Sequence, residues 1–320
     1  SRSAVSRCFT EGASVSDKTR QKVEKAAEEL GYQVNRLARS LIQKESGIVC
    51  LVVSDLDAPY RAALVKALSS ELQEHGKIAM LLNTDNSPQS VAKALRQAIS
   101  YRADGSIVLS GTPAKSIVDM CLSQNQKLVL INRDEPDYGP LRINLDETSA
   151  ARRAVGAFLQ AGCKRLTFVN SQANTPSLLS REDNFKRVCK ERGVDLNIER
   201  YGPTCYNSGT VLAQRVLSAT QRPDGVFCAT DLIALGFLDE ARDGFKLKVP
   251  NDLCLMGFDD IEQASWGAYQ LTTFSQPISE IAQKAVKWLT SSTGSREEST
   301  TITLDPELIW RATMRTTSAE

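Results

Sequence analysis

After Gly47 the chain alternates short apolar runs with longer helical runs, and this alternation constrains its fold more than any other feature. IVCLVV at 48–53 precedes a helical pattern over 60–75, KIAMLL at 77–82 one over 88–101, and GSIVL at 105–109 one over 114–125; KLVLI follows at 127–131. The scheme then repeats, with a helix over 147–161, RLTFV at 165–169, helices around 177–192 and 207–219, GVFCA at 225–229, a helix over 232–242 and LCLMGF at 253–258. Short apolar runs without polar alternation belong to strands buried on both faces, and a helix between consecutive strands makes their sheet parallel. One continuous sheet of so many strands would be unusual. The pattern therefore predicts an α/β protein with two successive doubly wound parallel-sheet subdomains.

Open sheets of this kind bind ligands beyond the carboxyl ends of their strands. Polar residues stand there: Asp55 and Asp57 follow the first strand, Asn83 and Asp85 the second, Ser110 the third, and Asn132, Arg133 and Asp134 the fourth. Asn170, Asp231, Asp259 and Asp260 take equivalent places in the second half. Two readings stand open for each of them. It lines one ligand crevice, or it only N-caps the next helix.

A chain of 320 residues, 42% of them hydrophobic, can bury more than one core and is expected to form two or three domains. No apolar run reaches the length of a membrane span, and the opening SRSAVSRCFT lacks the apolar core of a signal peptide, so a cytoplasmic protein with no membrane partner is expected. The eight cysteines form no CxxC pair and read as reduced core thiols; no metal site or other cofactor is expected. Catalysis has little to work with. His75 is the only histidine and sits before Gly76 at a helix end, where it completes a C-terminus. There is no nucleophile elbow, P-loop or GxGxxG, and adjacent carboxylates such as Asp259 and Asp260 diverge on a loop. The chain is expected not to be an enzyme.

Residues 1–46 carry nine basic side chains against six acidic ones, while the whole chain nets only +1. A local excess of this size permits nucleic-acid binding without requiring it. A helical pattern with Val5 and Phe9 on one face is under way at the first residue, which predicts that the module starts before Ser1. Ser16 is placed to N-cap a second helix with Val23, Ala26, Ala27 and Leu30 on its apolar face, and Gly31 to end it in a left-handed cap followed by a contact from Tyr32. Further on, Leu37, Ala38 and Leu41 fall at helical spacing among Arg36, Arg39 and Lys44. This is a short basic amphipathic helix over about 34–44, too short to stand alone in water and suited to ordering on a partner. An exposed leucine on such a helix fits a minor groove, where apolar wedges part base steps; the other reading is a solvated linker.

SAVSRCFTEGASVSDKTRQKVEKAAEELGYQVNRLARSL resembles the end of the helix-turn-helix headpiece and the hinge helix of the lac repressor family. SDLDAPYRAAL, INRD, INLDE, SREDNFKRV, ATDLIALGFL and LMGFDDI resemble segments of that family's sensor, so the likeness spans nearly the whole chain. It implies a remnant of an all-α helix-turn-helix DNA-binding domain with its hinge helix over 1–46, then a periplasmic-binding-protein-like sensor over 47–320. The first subdomain would take about 47–146 and 277–305, the second about 147–276 and 306–320. Residues 1–9 would be the recognition helix, with Arg2, Ser3 and Arg7 at base edges and the two arginines suited to guanine. Lys18, Thr19 and Asn35 would hold phosphates, and Ala38 and Leu41 of the hinge would touch DNA, Leu41 as the minor-groove wedge.

In the crevice the resemblance implies contacts from Tyr60, Arg61, Ser110, Arg133, Asp146, Arg181, Phe185, Asp231, Asp259 and Gln276. Two positions depart from the family pattern: Ala58 stands where an Asn is usual, and Arg61 where an aromatic is usual. Arg61, Arg133 and Arg181 together point to a carboxylate or phosphate on the ligand, as in a sugar acid or sugar phosphate. The other reading of Arg61 pairs it with Asp57. The implied function is a ligand-responsive, sequence-specific DNA-binding transcription regulator, a repressor, that works as a homodimer on operator DNA and responds to a small-molecule effector. RATMRTTSAE carries no heptad run, so the family's tetramer-forming leucine tail is not expected. A sugar-binding protein of the periplasmic type, without DNA binding, shares the two-lobed sensor and is the alternative.

Overall fold

The apolar runs become strands because helices cover both of their faces. In the computed structural model, which describes residues 2–9, 13–32, 45–85, 87–133, 139–291 and 300–316, the strands are β1 (Ile48–Val53), β2 (Ile78–Asn83), β3 (Gly105–Val108), β4 (Lys127–Ile131), β5 (Leu141–Leu145), β6 (Arg165–Asn170), β7 (Asp195–Arg200), β8 (Gly225–Cys228), β9 (Cys254–Asp259), β10 (Thr272–Ser275), β11 (Thr300–Leu304) and β12 (Glu307–Ile309). They form two six-stranded sheets, ordered β11-β5-β4-β3-β1-β2 and β12-β10-β9-β8-β6-β7. Every pair in the first is parallel. The second is parallel apart from β12, which runs antiparallel to β10. The chain crosses between the sheets three times: after β5, after β10 and after β11.

Strand position in the sheet follows composition. β1, an interior strand and uniformly apolar, is buried along its whole length, whereas the edge strands β2 and β7 are exposed or half-buried apart from Leu82. Proline at the first turn starts the helices Pro59–Glu74, Pro88–Ser100 and Pro176–Arg192, where a missing N–H costs nothing. Gly193 ends the last of these with φ at 65°. The core of the second sheet is aromatic: Phe185 packs on Phe158, Phe168 and Phe227 with ring centroids 6.5, 5.5 and 5.0 Å away. His75 closes Pro59–Glu74, its Nδ1 2.9 Å from the carbonyl of Glu71.

At the front of the chain, helices Arg2–Cys8 and Asp17–Glu29 pack on each other. Arg20 Nη1 donates to the Cys8 carbonyl at 2.8 Å and so satisfies the end of the first helix. Ser16 holds the N-cap position, but its hydroxyl pairs with that of Thr19 at 2.8 Å and caps no backbone N–H. Gly31 has φ at 61°, and the Tyr32 N–H reaches the Ala27 carbonyl at 2.8 Å, closing the helix as its sequence predicts. The Tyr32 ring meets Phe9, just past the end of the neighbouring helix, 5.8 Å between centroids. No residue of Asp17–Glu29 is buried, and Leu30 is 81% exposed. Asn35, Ala38, Leu41 and the rest of the 34–44 helix lie outside the described residues. Among the described residues no helix is long and apolar enough to cross a membrane.

Candidate functional site

The carboxyl ends of both sheets face one crevice of about 430 Å³. Asp55 past β1, Leu109 past β3 and Ile131 and Asn132 at the end of β4 line it from the first sheet; Thr230 past β8, Asp259 at the end of β9 and Gln276 past β10 line it from the second. Helix N-termini complete the wall, among them Ala58 and Pro59, Thr175 and Ser177, and Thr204 and Cys205. Ala58, Thr175 and Cys205 provide no side-chain cap, so backbone N–H groups at three helix starts remain available near the crevice. Asp55, Asn132 and Asp259 share a further trait. Their φ angles are 50, 55 and 126°, a conformation that costs a non-glycine residue about 1–3 kcal/mol and that clusters at ligand sites.

Three arginines lie along the crevice, in two different electrostatic situations. Arg181 is only 4% exposed and makes a bidentate pair with Glu147, Nη2 to Oε1 at 2.9 Å and Nε to Oε2 at 3.2 Å. Its Nη1 donates to the Ala229 carbonyl at 2.6 Å, and its guanidinium stacks 3.3 Å over Phe258. Arg133, also buried, spends its donors on backbone carbonyls, those of Gly111 at 2.8 Å, Asn132 at 2.7 Å and Leu109 at 3.4 Å. Burial, with the charge of Arg61 added, pushes Arg133 down to about 10. Arg61 Nη1 donates to the Leu109 carbonyl at 2.7 Å and to Ser110 Oγ. Burial lowers its pKa too. Arg61 makes no pair with Asp57. Among the described residues, neither Arg61 nor Arg133 has a carboxylate within ion-pair distance, whereas the charge of Arg181 is matched.

Acidic and neutral polar groups complete the crevice. Gln276 Nε2 donates to Asp259 Oδ1 at 2.7 Å, and burial raises the Asp259 pKa against the lowering pull of Arg181, Gln276 and Arg61. Gln276 Oε1 and the hydroxyl of Tyr60 are buried without a partner among the described residues. The Tyr60 ring packs against the cores of both halves, so it links them across the crevice.

Tyr60, Arg61, Arg133, Arg181, Asp259 and Gln276 line this crevice; four other residues expected there do not. Ser110 is fully buried one layer back, where its hydroxyl accepts from Arg61 and from the Ser54 N–H at 2.9 Å. Asp146 N-caps the helix Glu147–Gln160, accepting from the Ser149 N–H at 2.8 Å. Phe185 is locked in the aromatic core. Asp231 is fully buried behind β9, its carboxylate accepting from Thr273 Oγ1 at 2.6 Å and from the Ile261 N–H at 3.0 Å. Asp260 pairs with Arg311 at 2.7 Å, and Asn170 donates to Glu182 at 3.0 Å. Thr175, Ser177, Thr204, Cys205 and the aliphatic wall of Leu64, Leu178, Leu232 and Ile261 join the crevice without having been singled out in the sequence. Position just before or at a helix start was the available signal for the first four.

On the N-terminal helices Arg7 and Lys18 are exposed and Thr19 is half-buried against Ser16; Arg2 and Ser3 lie in the helix that carries Arg7.

Two sheets, parallel apart from β12, with a polar crevice between their carboxyl edges define a two-lobed binding domain, and the model of the periplasmic binding protein-like domain matches residues 155–314, half of the chain. Residues 1–35 match the model of bacterial regulatory proteins of the lacI family. The chain is 28% identical over 322 residues to the HTH-type transcriptional repressor CytR of Escherichia coli (strain K12), covering 98% of this chain and 93% of that protein. It is also 28% identical over 294 residues to catabolite control protein A of Priestia megaterium, covering 91% and 88%. The fold matches the lac repressor dimer bound to operator and the anti-inducer ONPF, with a TM-score of 0.87 at 22% identity over 98% of this chain and 95% of that one. The chain belongs to the lacI family of bacterial regulatory proteins, and is a DNA-binding transcription regulator.

Proposed function

We propose that this regulator is a cytoplasmic homodimeric repressor whose operator affinity responds to a small anionic molecule, a sugar acid or sugar phosphate, held in the crevice between its lobes. The observation that carries the effector class is the pair Arg61 and Arg133. Both line the crevice, and neither has a carboxylate within ion-pair distance among the described residues. Among the described residues only Arg61 Nη1 meets a protein acceptor, so an anionic oxygen gains charge-assisted bonds there without displacing an ion pair. The uncapped helix starts at Ala58, Thr175 and Cys205 add partial positive charge to the same wall. Asp259, the amide oxygen of Gln276 and the Tyr60 hydroxyl offer acceptors for sugar hydroxyls.

Regulation follows from differential affinity. A ligand that spans Arg61 on one lobe and Asp259 on the other favours one lobe arrangement, and operator affinity changes by the ratio of its affinities for the two arrangements. Arg2, Ser3 and Arg7 would read base edges, Lys18, Thr19 and Asn35 would hold phosphates, and Ala38 and Leu41 would enter the minor groove. The dimer and the operator complex of the lac repressor structure support this reading.

The test is a thermal-shift screen of sugar acids, sugar phosphates and their neutral parent sugars. A ligand at a hundredfold excess over its dissociation constant stabilises by about 2.7 kcal/mol. Stabilisation by the acids, lost in Arg61→Ala, supports the effector class. Equal stabilisation by the neutral sugars, unchanged in Arg61→Ala, overturns it.

A further inference from the structure

At the opposite, amino-terminal edge of the first sheet, one carboxylate holds the point where the chain enters the sensor. Asp104, just before β3, accepts from the Ser46 N–H at 2.8 Å, the Ser46 hydroxyl at 3.1 Å, the Gly47 N–H at 3.0 Å and Lys77 Nζ at 2.9 Å. Lys77 also reaches Glu45 at 3.4 Å. The Ser46 hydroxyl in turn accepts from the Ile48 N–H at 3.1 Å, and Gly47, with φ at 72°, turns the chain into β1. The ladder continues on both sides, with the Ile78 N–H on the Gly47 carbonyl and the Asp104 N–H on the Ile48 carbonyl, each at 2.8 Å. Three donors from two consecutive residues thus converge on one carboxylate, with a lysine alongside.

Residues 33–44 connect this point to the DNA-binding helices. We propose that Asp104 is a positioning residue for operator recognition: by clamping Ser46 and Gly47 it fixes where, and in which direction, the chain leaves the sensor toward the DNA-binding module. Two modules on one operator must present their reading helices at a fixed separation, so a loosened exit point weakens specific binding while phosphate contacts to random DNA persist. Lys77 is the second half of the clamp, since it neutralises Asp104 and holds Glu45.

The inference rests on DNA binding by the N-terminal module, which random-sequence DNA tests separately: absence of any salt-dependent binding by the wild-type chain defeats that premise and leaves the clamp's effect on the sensor untouched. The experiment compares wild type, Asp104→Ala, Asp104→Asn and Ser46→Ala by fluorescence anisotropy, on an operator selected from random duplexes and on a random duplex, with the urea midpoint of each variant as a measure of fold. The expected result is a loss of operator affinity of about tenfold or more in Asp104→Ala. Affinity and salt slope on random DNA should stay unchanged. Asp104→Asn, which keeps one acceptor oxygen, should recover part of the loss, and Ser46→Ala should show a smaller loss in the same direction. Equal losses on operator and random DNA, or unchanged operator affinity in both Asp104→Ala and Ser46→Ala, overturn the proposal. Should Asp104→Ala fail to fold, Ser46→Ala alone decides on the same ratio.

Discussion

Replacing Glu147 by Gln should destabilise the sensor and at the same time tighten its grip on an anion. In the wild type, Arg181 and Glu147 are 4% and 8% exposed and share two N–H···O bonds of 2.9 and 3.2 Å. Breaking a buried pair by removing one charge costs about 3–5 kcal/mol, because the other charge stays buried without its partner. Three features place this substitution at the low end, near 3 kcal/mol. Gln keeps one acceptor oxygen, the Ala229 carbonyl still accepts from Nη1 at 2.6 Å, and Phe258 still stacks at 3.3 Å. The urea midpoint, followed by tryptophan fluorescence, should fall with an unchanged slope. Meanwhile the crevice gains a third unmatched guanidinium. At an effective dielectric near 20 and a separation of roughly 6 Å, the added attraction has an upper bound of about 3 kcal/mol, and solvent screening leaves roughly 1–2 kcal/mol. Isothermal titration should therefore show about a 5- to 30-fold gain in affinity for a sugar phosphate. Unchanged stability would mean that the pair does not act as a buried pair. Unchanged or weakened phosphate affinity would refute the idea that anion binding depends on the number of unmatched arginines.

Arg61→Ala should weaken an acidic effector by about 1.5–3 kcal/mol, roughly 10- to 150-fold, and leave a neutral sugar unaffected by titration calorimetry. Asp231 gives a pH signature: burial holds its carboxyl well above the usual range, with the charge of Asp259 adding to the effect. From about pH 4 upward the unfolded chain has lost that proton while the folded chain keeps it, so stability should fall as pH rises toward the raised folded value. Asp231→Asn, which can still accept from Ile261 and donate to Thr273, should flatten that slope in a urea-midpoint series; a slope unchanged by the substitution would assign the effect elsewhere. Phe185→Ala should cost about 3–5 kcal/mol through a cavity among Phe158, Phe168 and Phe227, measured by the same unfolding curves.

The central strands are legible in the sequence because burial on both faces leaves no room for polar residues, as IVCLVV in β1 illustrates. Edge and crossing strands carry a weaker signal. β5 alternates buried and half-buried residues, β7 reads DLNIER, and β11 and β12 draw on Thr and Glu, so only pairing with a neighbour defines them. The crevice is legible where a residue stands directly past a strand, as with Asp259, but sequence does not tell a wall residue from a cap or a buried acceptor. Asp146 and Asp231 occupy the same kind of position, yet one turns onto the Ser149 N–H and the other points back to Thr273. Nor does it reveal which arginine is already matched, because Glu147 lies 34 residues from Arg181. The Asp104 clamp is equally hidden: two of its donors are backbone N–H groups, which every sequence has, and the others, Ser46 and Lys77, lie 58 and 27 residues away.

One titration decides whether operator binding depends on the effector. The full-length protein is titrated by fluorescence anisotropy onto an operator selected from random duplexes, at physiological salt, with and without a saturating sugar acid or sugar phosphate that raises its melting temperature. The expected result is an operator affinity changed at least fivefold by the ligand, with random-duplex affinity unchanged and the response abolished in Arg61→Ala. Identical operator affinity with and without a ligand that demonstrably occupies the crevice would contradict it.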